Sequence, residues 1–312
     1  MVNAHTIIDF FKELQDDICR GLEELDGAGS FQEDLWQREE GGGGRTRVIE
    51  GRNIAKGGVN FSHVQGAVTP LMRKSMKMDG EQWLASGVSL VLHPESPMVP
   101  IIHMNVRYFE LDGGQDWWFG GGIDLTPHYI DPDLARRFHL RLKAVCDDFD
   151  PDAYLNYKKW ADDYFYLPHR GETRGIGGIF FDHLNMSGSE PRNPGGKSGP
   201  DKDAIFGFVK NVGRSFLPVY TEQFEHTIPR PYGSPQSTWQ MLRRGRYVEF
   251  NLIWDRGTKF GLMSDGRTES ILMSLPPQAN WVYQYQIDPA EDADAAETLK
   301  WLQKGVDWIN QK

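Results

Sequence analysis

The sequence predicts an α+β fold in which a large antiparallel β-sheet is flanked by helices. Segments whose apolar residues alternate with period two follow one another without the regular strand–helix alternation of a parallel sheet. Helical stripes of apolar residues lie near both ends of the chain and between some of these strands. The length of 312 residues and the hydrophobic fraction of 39% suit a buried core, so we expect one domain over 1–312.

The predicted elements follow from apolar spacing and from capping residues. Asp131 caps a helix whose first residue is Pro132, and Pro218 is expected to kink a later helix. Asp255, Arg256 and Gly257 suggest a hairpin-like connection between two strands. The predicted helices cover 4–26, a segment starting at 132, 152–166, 203–225 and a C-terminal segment with Leu299, Leu302, Val306 and Ile309. The predicted strands cover 86–93, 100–110, 175–184, 246–254, 258–264 and 267–275.

Two segments are predicted to be loops. The glycine run 41–44 is typical of a mobile loop, and it is not followed by the Gly-Lys-Ser/Thr sequence of a phosphate-binding loop. The segment 186–202 is polar and rich in Gly, Pro and Ser, which indicates a long flexible surface loop. Because strand-rich sequence resumes after it, we place this loop inside the domain rather than at a boundary.

Charge and cysteine content argue against several classes of protein. The formal net charge is −10, so we do not expect a nucleic-acid binder, which usually presents a basic face. No stretch of 18 apolar residues occurs and the N-terminus lacks a secretory pattern, so neither a membrane span nor export is expected. Cys19 and Cys146 have no Cys or His nearby at metal-binding spacing, which favours a reducing, cytoplasmic location.

The predicted strand 100–110 carries a row of polar side chains. His103, Asn105 and Arg107 alternate with apolar residues and therefore share one face of the strand. Such a face can simply be exposed to solvent, as in many antiparallel sheets. Because the segment is otherwise apolar and follows an apolar strand that ends at His93, we interpret the row as the floor of a binding cleft.

Residues 116–127 (DWWFGGGIDLTP) place three consecutive glycines between aromatic residues and Asp124. Three glycines weaken a strand unless something approaches the backbone closely. The pattern is compatible with a bulge or tight bend. It is equally compatible with a ligand surface to which Asp124 is presented.

Basic residues and histidines supply further candidates for a site. His169, Arg170 and Arg174 precede a glycine-rich strand, and with Arg107 they provide cations that suit carboxylates. Four scattered histidines form no compact ligand motif such as HExxH, which favours structural roles but leaves a metal site open: His93, His103, His139 and His169.

Several segments resemble the signature sequences of the oxygen-dependent coproporphyrinogen III oxidases. They follow in order from about residue 43 to 285, and long matches of this kind are more specific than a short motif. The N-terminal helix, the loop 186–202 and the C-terminal helix lie outside them. The segments are GGRTRVIEGRNIAKGGVNFS, SLVLHPESPMVPIIHMNVRYFE, DWWFGGGIDLTP, HRGETRGIGGIFFD, RGRYVEFNLIWDRGTKFGL and GRTESILMSLPP.

The resemblance implies a single domain with helices on both faces of one large antiparallel sheet, working as a homodimer whose interface includes about 247–282. It also implies the reaction. Two propionate side chains of coproporphyrinogen III become vinyl groups in haem and porphyrin biosynthesis, giving protoporphyrinogen IX, CO2 and H2O2. Members generally need no organic cofactor and use O2 as co-substrate, and a divalent metal has been claimed for some bacterial members.

The resemblance also implies roles for single residues. His103 is the expected proton donor or shuttle, Asp124 is our candidate to hydrogen-bond or deprotonate the pyrrole N–H groups, and Arg107 completes the catalytic set. Several relatives have Gly or Ser where Asp265 stands, so an acidic residue there departs from the pattern. The expected substrate contacts are Ser89, Asn105, Val106, Arg107, Arg170, Arg174, Asp255, Arg256, Asp265, Gly266 and Arg267. The residues that match the metal site claimed for bacterial members are His93, His103, His139 and His169.

Two rival functions belong to other classes. A histidine-ligated, metal-dependent oxygenase would bind iron or copper in stoichiometric amount. A non-catalytic tetrapyrrole-binding protein would bind coproporphyrinogen without O2-dependent turnover.

Overall fold

The computed structural model describes residues 2–70, 72–73, 79–185, 201–263 and 266–310. Within these ranges, seven strands form one sheet that is antiparallel throughout, and two short strands pair separately. The strands are β1 (Gln32–Gln37), β2 (Gly42–Ile49), β3 (Ile54–Ala67), β4 (Gln82–Pro94), β5 (Ile101–Leu111), β6 (Asp116–Thr126), β7 (Tyr166–Leu167), β8 (Glu172–Thr173) and β9 (Gly177–Leu184). The order in the large sheet is β1-β2-β3-β4-β5-β6-β9, which confirms the predicted α+β class.

The helices lie before the sheet, between β6 and β9, and after β9. A short π-helix, Phe250–Trp254, continues directly from one of them. The helices are α1 (Ala4–Asp26), α2 (Pro132–Asp147), α3 (Ala153–Tyr164), α4 (Lys202–Thr227), α5 (Ser234–Glu249), α6 (Arg256–Met263), α7 (Thr268–Leu272) and α8 (Ala293–Trp301). In the described part of the chain, no helix has the length and apolar character that crossing a membrane requires.

One face of the sheet forms the main core. Helix α1 packs against β3 and β4, α4 packs against β5 and β6, and α2 packs against α4. Phe206 of α4 stacks on Phe119 of β6, with the ring centroids 5.9 Å apart. The buried Gln15 of α1 donates hydrogen bonds from Nε2 to the carbonyls of Arg45 and Val59 at 2.7 Å, so a polar contact fixes α1 on the sheet.

The opposite face of the sheet is only partly covered, and we call it the open face. Its central row consists of neighbours in register: Asn60, Ser89, Asn105, Gly122 and Phe180. Helix α7 covers β2 and β3, where the Ser270 carbonyl accepts a hydrogen bond from Asn60 Nδ2 at 2.8 Å. Tyr247 of α5 covers the far ends of β4 and β5 by packing on Val91 and Ile101. Helices therefore lie on both faces of the sheet, as expected.

The predicted helices α1 to α4 and the predicted strands β4, β5 and β9 are confirmed. The N-cap of α2 is Asp131, whose side chain accepts hydrogen bonds from the backbone N–H groups of Asp133 and Leu134. Gly27 ends α1 in the left-handed conformation, with φ at 73°. Pro218 lies inside the continuous helix α4. Residues 186–200 of the predicted loop lie outside the described residues, and Asp201 is already the N-cap of α4.

The predicted strands 246–254 and 258–264, with their hairpin connection, are wrong. The described residues of these segments, 246–263, form the end of α5, the π-helix and α6. Tyr247 and Phe250, three residues apart, are both buried on one side of the helix, whereas Leu252 and Ile253 are exposed. The segment resembles a strand because exposed apolar residues interrupt its helical period.

Two further C-terminal predictions need correction. The predicted strand 267–275 contains helix α7 instead. The predicted C-terminal helix ends at Trp301, and both Val306 and Ile309 follow it in irregular structure. Val306 still packs on the core, so its apolar character reflects burial rather than helical periodicity.

The glycine run 41–44, predicted as a mobile loop, largely belongs to strand β2. A side chain at Gly43 would place its Cβ 2.2 Å from the carbonyl oxygen of Trp36, and at Gly44 it would meet the Trp36 ring at the same distance. The glycines are therefore needed for the close approach of β1. Strands β1, β2, β3, β6, β7 and β8 and helix α5 were not predicted from the sequence.

Candidate active site

The polar row predicted on β5 lies on the open face. His103, Asn105 and Arg107 are half-buried there, while the intervening Met104 and Val106 are fully buried on the core face. We expected Val106 among the substrate contacts, and its side chain is instead part of the core. Strand alternation thus separates a row available to a ligand from a row that packs on α4.

The neighbouring strands extend this row across the sheet. In register, β6 places Asp124 opposite His103, Gly122 opposite Asn105 and Gly120 opposite Arg107. On the other side, Ser89 of β4 lies opposite Asn105, and its side chain is half-buried. Ser89, His103, Asn105 and Arg107 are therefore brought together, as predicted.

Asp124 is not presented to the open face. Its carboxylate is buried between two partners: Oδ1 accepts a hydrogen bond from His103 Nδ1 at 2.7 Å, and Oδ2 pairs with Arg174 Nη2. The side chains of Asp124 and Arg174 are each 3% exposed, against 23% for His103. Burial alone would raise the pKa of Asp124, but Arg174 and His103 outweigh burial and hold that pKa below its usual value. Asp124 is therefore a buried anion that orients His103.

Arg174 also differs from its expected position as a substrate contact. Its guanidinium lies over three aromatic rings, those of Phe165, Tyr247 and Phe250, at 4.3, 4.5 and 4.6 Å from their centroids. These rings shield the guanidinium from solvent, so its charge is balanced by Asp124 rather than by a ligand.

Arg107 keeps hydrogen-bonding capacity for a ligand. Nη1 donates to Asn105 Oδ1 and Nη2 pairs with Asp182 Oδ2, each at 2.8 Å, so three of the five N–H groups have no partner among the residues that the structure describes. Burial would lower the pKa of Arg107, but Asp182 outweighs burial and raises it. A Cβ at Gly120 would lie 2.5 Å from Asp182 Oδ1 and 2.7 Å from Arg107 Nε, so the glycine leaves room for this ion pair.

Asp182 was not predicted as a site residue. Strand alternation in 175–184 could have indicated it, because Asp182 shares a face with Phe180 in the central row.

The glycines of 120–122 leave room for neighbouring groups of the protein itself. Gly121, on the core face, accommodates the ring of Phe181.

Arg170 is occupied by a carboxylate within the chain. Its Nε and Nη2 donate to the two oxygens of Glu249 at 2.9 and 2.6 Å, and His169 Nε2 donates to Glu249 at 2.8 Å. Although burial opposes the charge, these donors lower the pKa of Glu249 to about 2. Glu249 was not predicted, and this bidentate pair takes the role that we expected a substrate carboxylate to fill.

Asp255 and Arg256 lie at the start of α6, beside the end of α3. Asp255 Oδ1 accepts a hydrogen bond from the Tyr164 hydroxyl at 2.7 Å, and Oδ2 accepts one from the Thr258 N–H at 2.6 Å. Arg256 is exposed, and within the described ranges it forms no ion pair with a carboxylate. Among the expected substrate contacts, Arg256 thus retains a cation that a ligand can use.

The expected contacts around residue 266 lie at the other edge of the sheet. Arg267 pairs with Asp34 of β1 and lies 6.0 Å from the centroid of the Trp36 ring. Strands β2 to β4 separate β1 from β5 at roughly 4.8 Å per strand, so Arg267 is remote from Arg107. Gly266 donates from its N–H to the Gly261 carbonyl, and Asp265 lies outside the described residues.

The four histidines considered as metal ligands have separate partners. His93 donates from Nε2 to the Ser274 carbonyl at 2.8 Å, and burial lowers its pKa to about 3. His139 donates from Nε2 to the Ile176 carbonyl and accepts from the Tyr154 hydroxyl, which occupies both ring nitrogens. Among residues 2–70, 72–73, 79–185, 201–263 and 266–310, no three His, Cys, Asp or Glu side chains are grouped to hold a metal ion.

Comparison with known proteins identifies the family of the chain. A family model described as coproporphyrinogen III oxidase matches residues 6–308. A protein of Synechococcus sp. (strain CC9605), named oxygen-dependent coproporphyrinogen-III oxidase, is 48% identical over 313 residues, covering 95% of this chain and 85% of the relative. Proteins of the same name from Parasynechococcus marenigrum (strain WH8102) and Prochlorococcus marinus (strain MIT 9312) are 48% and 46% identical, covering 95% and 96% of this chain and 85% and 91% of the relatives.

Proposed function

The chain belongs to the coproporphyrinogen III oxidase family, and we propose that its reaction takes place on the open face of β5 and β6 around His103. The activity is the oxygen-dependent oxidative decarboxylation of coproporphyrinogen III to protoporphyrinogen IX in haem biosynthesis. For each of two propionates, R–CH2–CH2–COO⁻ + O2 + H⁺ gives R–CH=CH2 + CO2 + H2O2. The protein must therefore bind an anionic macrocycle and move a proton.

We assign proton transfer to His103 rather than to Asp124. The single observation that carries this assignment is the hydrogen bond from His103 Nδ1 to Asp124, because an ionised carboxylate only accepts and so fixes the proton on Nδ1. The other nitrogen, Nε2, has no hydrogen-bond partner in the described part of the chain, and it is left to exchange a proton with the substrate. Removal of a pyrrole N–H proton makes the electron-rich macrocycle more readily oxidised by O2.

Arg107 and Arg256 are the proposed anchors for substrate carboxylates. In the described part of the chain, Arg107 has N–H groups without a partner beside the polar row. Arg256 is exposed at the start of α6, next to the end of α3. A planar guanidinium binds a carboxylate through two parallel hydrogen bonds, which fixes the position as well as the charge of the substrate. Ser89 and Asn105 line the floor between the strands.

We further propose that no organic cofactor is needed and that a divalent metal is not required. The electrons come from the porphyrinogen and pass to O2, so the protein needs to activate the substrate rather than carry a redox group. His139 has no ring nitrogen left for a metal unless its hydrogen bond to Tyr154 breaks.

A homodimer and a cytoplasmic location complete the proposal. Exposed apolar side chains concentrate between residues 252 and 285, where a soluble monomer would leave an unfavourable surface. They are Leu252, Ile253, Trp254, Leu262, Met263, Trp281, Val282, Tyr283 and Tyr285. Both cysteines are buried free thiols, which suits a reducing compartment.

The experiment that tests this function is turnover of coproporphyrinogen III by metal-stripped protein, with and without O2. We expect protoporphyrinogen IX and H2O2 to form only with O2, from protein that shows no flavin or haem absorption. Loss of activity on metal stripping, restored by one metal, would instead favour a metal-dependent oxygenase. Tight binding without turnover would favour a tetrapyrrole carrier.

A further inference from the structure

Tyr164, the last residue of α3, lies against the open face and was not among the predicted site residues. Its ring stacks on the ring of Phe180, with centroids 4.3 Å apart and planes 14° from parallel. Phe180 lies opposite Gly122, which in turn lies opposite Asn105. The Tyr164 ring therefore borders the row that we propose binds the substrate.

The hydroxyl of Tyr164 connects this ring to the start of α6. It donates to Asp255 Oδ1 at 2.7 Å and accepts from the backbone N–H of Arg256 at 3.2 Å. The Arg256 guanidinium lies 5.8 Å from the centroid of the Tyr164 ring. Burial and Asp255 both raise the pKa of Tyr164, so the hydroxyl keeps the proton that it donates.

The remaining contacts of Asp255 show why one hydroxyl matters. The other carboxylate oxygen caps α6 by accepting from the Thr258 N–H. Leu252 and Ile253 before it are exposed, and Trp254 donates a hydrogen bond from Nε1 to His169 Nδ1 at 3.0 Å, so Tyr164 and Trp254 are the side chains that join this turn to the neighbouring loop and helix. The negative charge of Asp255 also contributes to raising the pKa of Arg107, so the turn lies near the first proposed anchor.

We propose that Tyr164 is a positioning residue that holds Asp255 and Arg256 at the open face, so that Arg256 and Arg107 grip two carboxylates of one substrate. The inference rests on the proposed function and adds a residue that determines where the substrate carboxylates bind. Without the hydroxyl, Asp255 loses its hydrogen bond to α3, while the Tyr164 ring and its stacking on Phe180 remain.

The test is Tyr164→Phe, compared with Tyr129→Phe as a matched control. Tyr129 also donates its hydroxyl to a carboxylate, that of Asp292 at 2.5 Å, but it packs with Trp239 and Leu242 in a separate cluster. Loss of a hydrogen bond to a charged group weakens the positioning of Arg256, so we expect KM to rise roughly tenfold in Tyr164→Phe. The value of kcat should stay within about threefold of the wild-type value. Tyr129→Phe should leave KM unchanged.

A double substitution separates positioning from a general effect on the fold. If Tyr164 acts through Asp255, Tyr164→Phe/Asp255→Ala should raise KM no further than Asp255→Ala alone, within about twofold. Multiplicative effects of the two substitutions on KM would overturn the inference. It would also be overturned by a lowered melting temperature in Tyr164→Phe with an unchanged KM.

Failure of the proposed function can be distinguished from failure of the role of Tyr164. Absence of turnover in the wild-type protein would count against the proposed function itself. The dissociation constants of the same variants for coproporphyrinogen III, measured without O2, would still decide the role of Tyr164. An unchanged dissociation constant in Tyr164→Phe would reject that role, and a roughly tenfold increase would support it.

Discussion

His103 and Asp124 lie directly opposite each other on β5 and β6, and a 2.7 Å hydrogen bond joins His103 Nδ1 to the Asp124 carboxylate. The partner of Asp124 on its other oxygen is the buried Arg174. The imidazole of His103 is therefore held by a carboxylate that Arg174 keeps ionised. This arrangement resembles the general use of a buried acid to orient a histidine and select its tautomer.

Replacing Asp124 with Asn should reduce both stability and turnover. Arg174 would be left as an unpaired buried charge, which costs about 3–5 kcal/mol, and His103 would lose its fixed tautomer. Chemical denaturation and steady-state kinetics measure the two effects separately.

A compensating substitution distinguishes the two roles of Asp124. Arg174→Met removes the unpaired charge and suits the aromatic rings of Phe165, Tyr247 and Phe250. We expect Asp124→Asn/Arg174→Met to regain most of the lost stability while kcat stays low. Recovery of wild-type kcat in the double variant would show that the carboxylate is structural only.

Replacing Arg107 with Ala should weaken transition-state binding by about 2–4 kcal/mol, because a bidentate contact to a substrate carboxylate is lost. The value of kcat/KM should fall accordingly. Arg107→Lys keeps the charge but not the planar fork, so we expect an intermediate effect. Arg141→Ala, which breaks an ion pair with Glu222 between α2 and α4, serves as the control and should leave kcat/KM unchanged. Near-normal kinetics in Arg107→Ala would remove Arg107 from the substrate site.

His139 should make stability sensitive to mild acid. Burial lowers its folded-state pKa to about 3, whereas an unfolded histidine has a pKa near 6.5. Between these values the unfolded chain binds one more proton, so the free energy of unfolding decreases as pH falls, by about 1.4 kcal/mol per pH unit. His139→Gln should reduce this slope between pH 4.5 and 6 by about that amount. If the free energy of unfolding had the same pH dependence in both proteins, His139 would not be a buried neutral histidine in the folded state.

The proposed dimer predicts a mass of twice 35.6 kDa in sedimentation experiments. The side chains of Met263 and Tyr283 are 77% and 90% exposed in the single chain. Changing both to Asp should place charges in the proposed interface and give a monomer. Leu155→Asp is the matched control, because Leu155 is 66% exposed near the start of α3, nine residues before Tyr164, which contacts Asp255. A compact, fully active wild-type monomer would reject the dimer.

The sequence was sufficient to predict the polar row on β5 because alternation in a strand is a local property. His103, Asn105 and Arg107 needed only the period of their own segment to be placed on one face. The capped helices α1 and α2 were predictable for the same reason, since Gly27 and Asp131 mark their ends within one turn.

The burial of Asp124 and Arg174 could not be predicted in this way. It depends on rings from α5 and the π-helix, and the sequence suggested a strand for that region. Glu249 and Asp182 were missed for a related reason: each satisfies an arginine that is distant in sequence, so the pairing exists only after the sheet and helices have packed.

The most direct test of the central claim is the effect of His103→Asn on binding and turnover, each measured with coproporphyrinogen III. Asparagine cannot exchange a proton near neutral pH, and general acid–base catalysis typically contributes 10²–10⁴-fold, so we expect kcat to fall by about that factor. The dissociation constant, measured without O2, should stay within about threefold of the wild-type value because the arginine anchors are intact. A His103→Asn protein that retains wild-type kcat would contradict the assignment of proton transfer to His103.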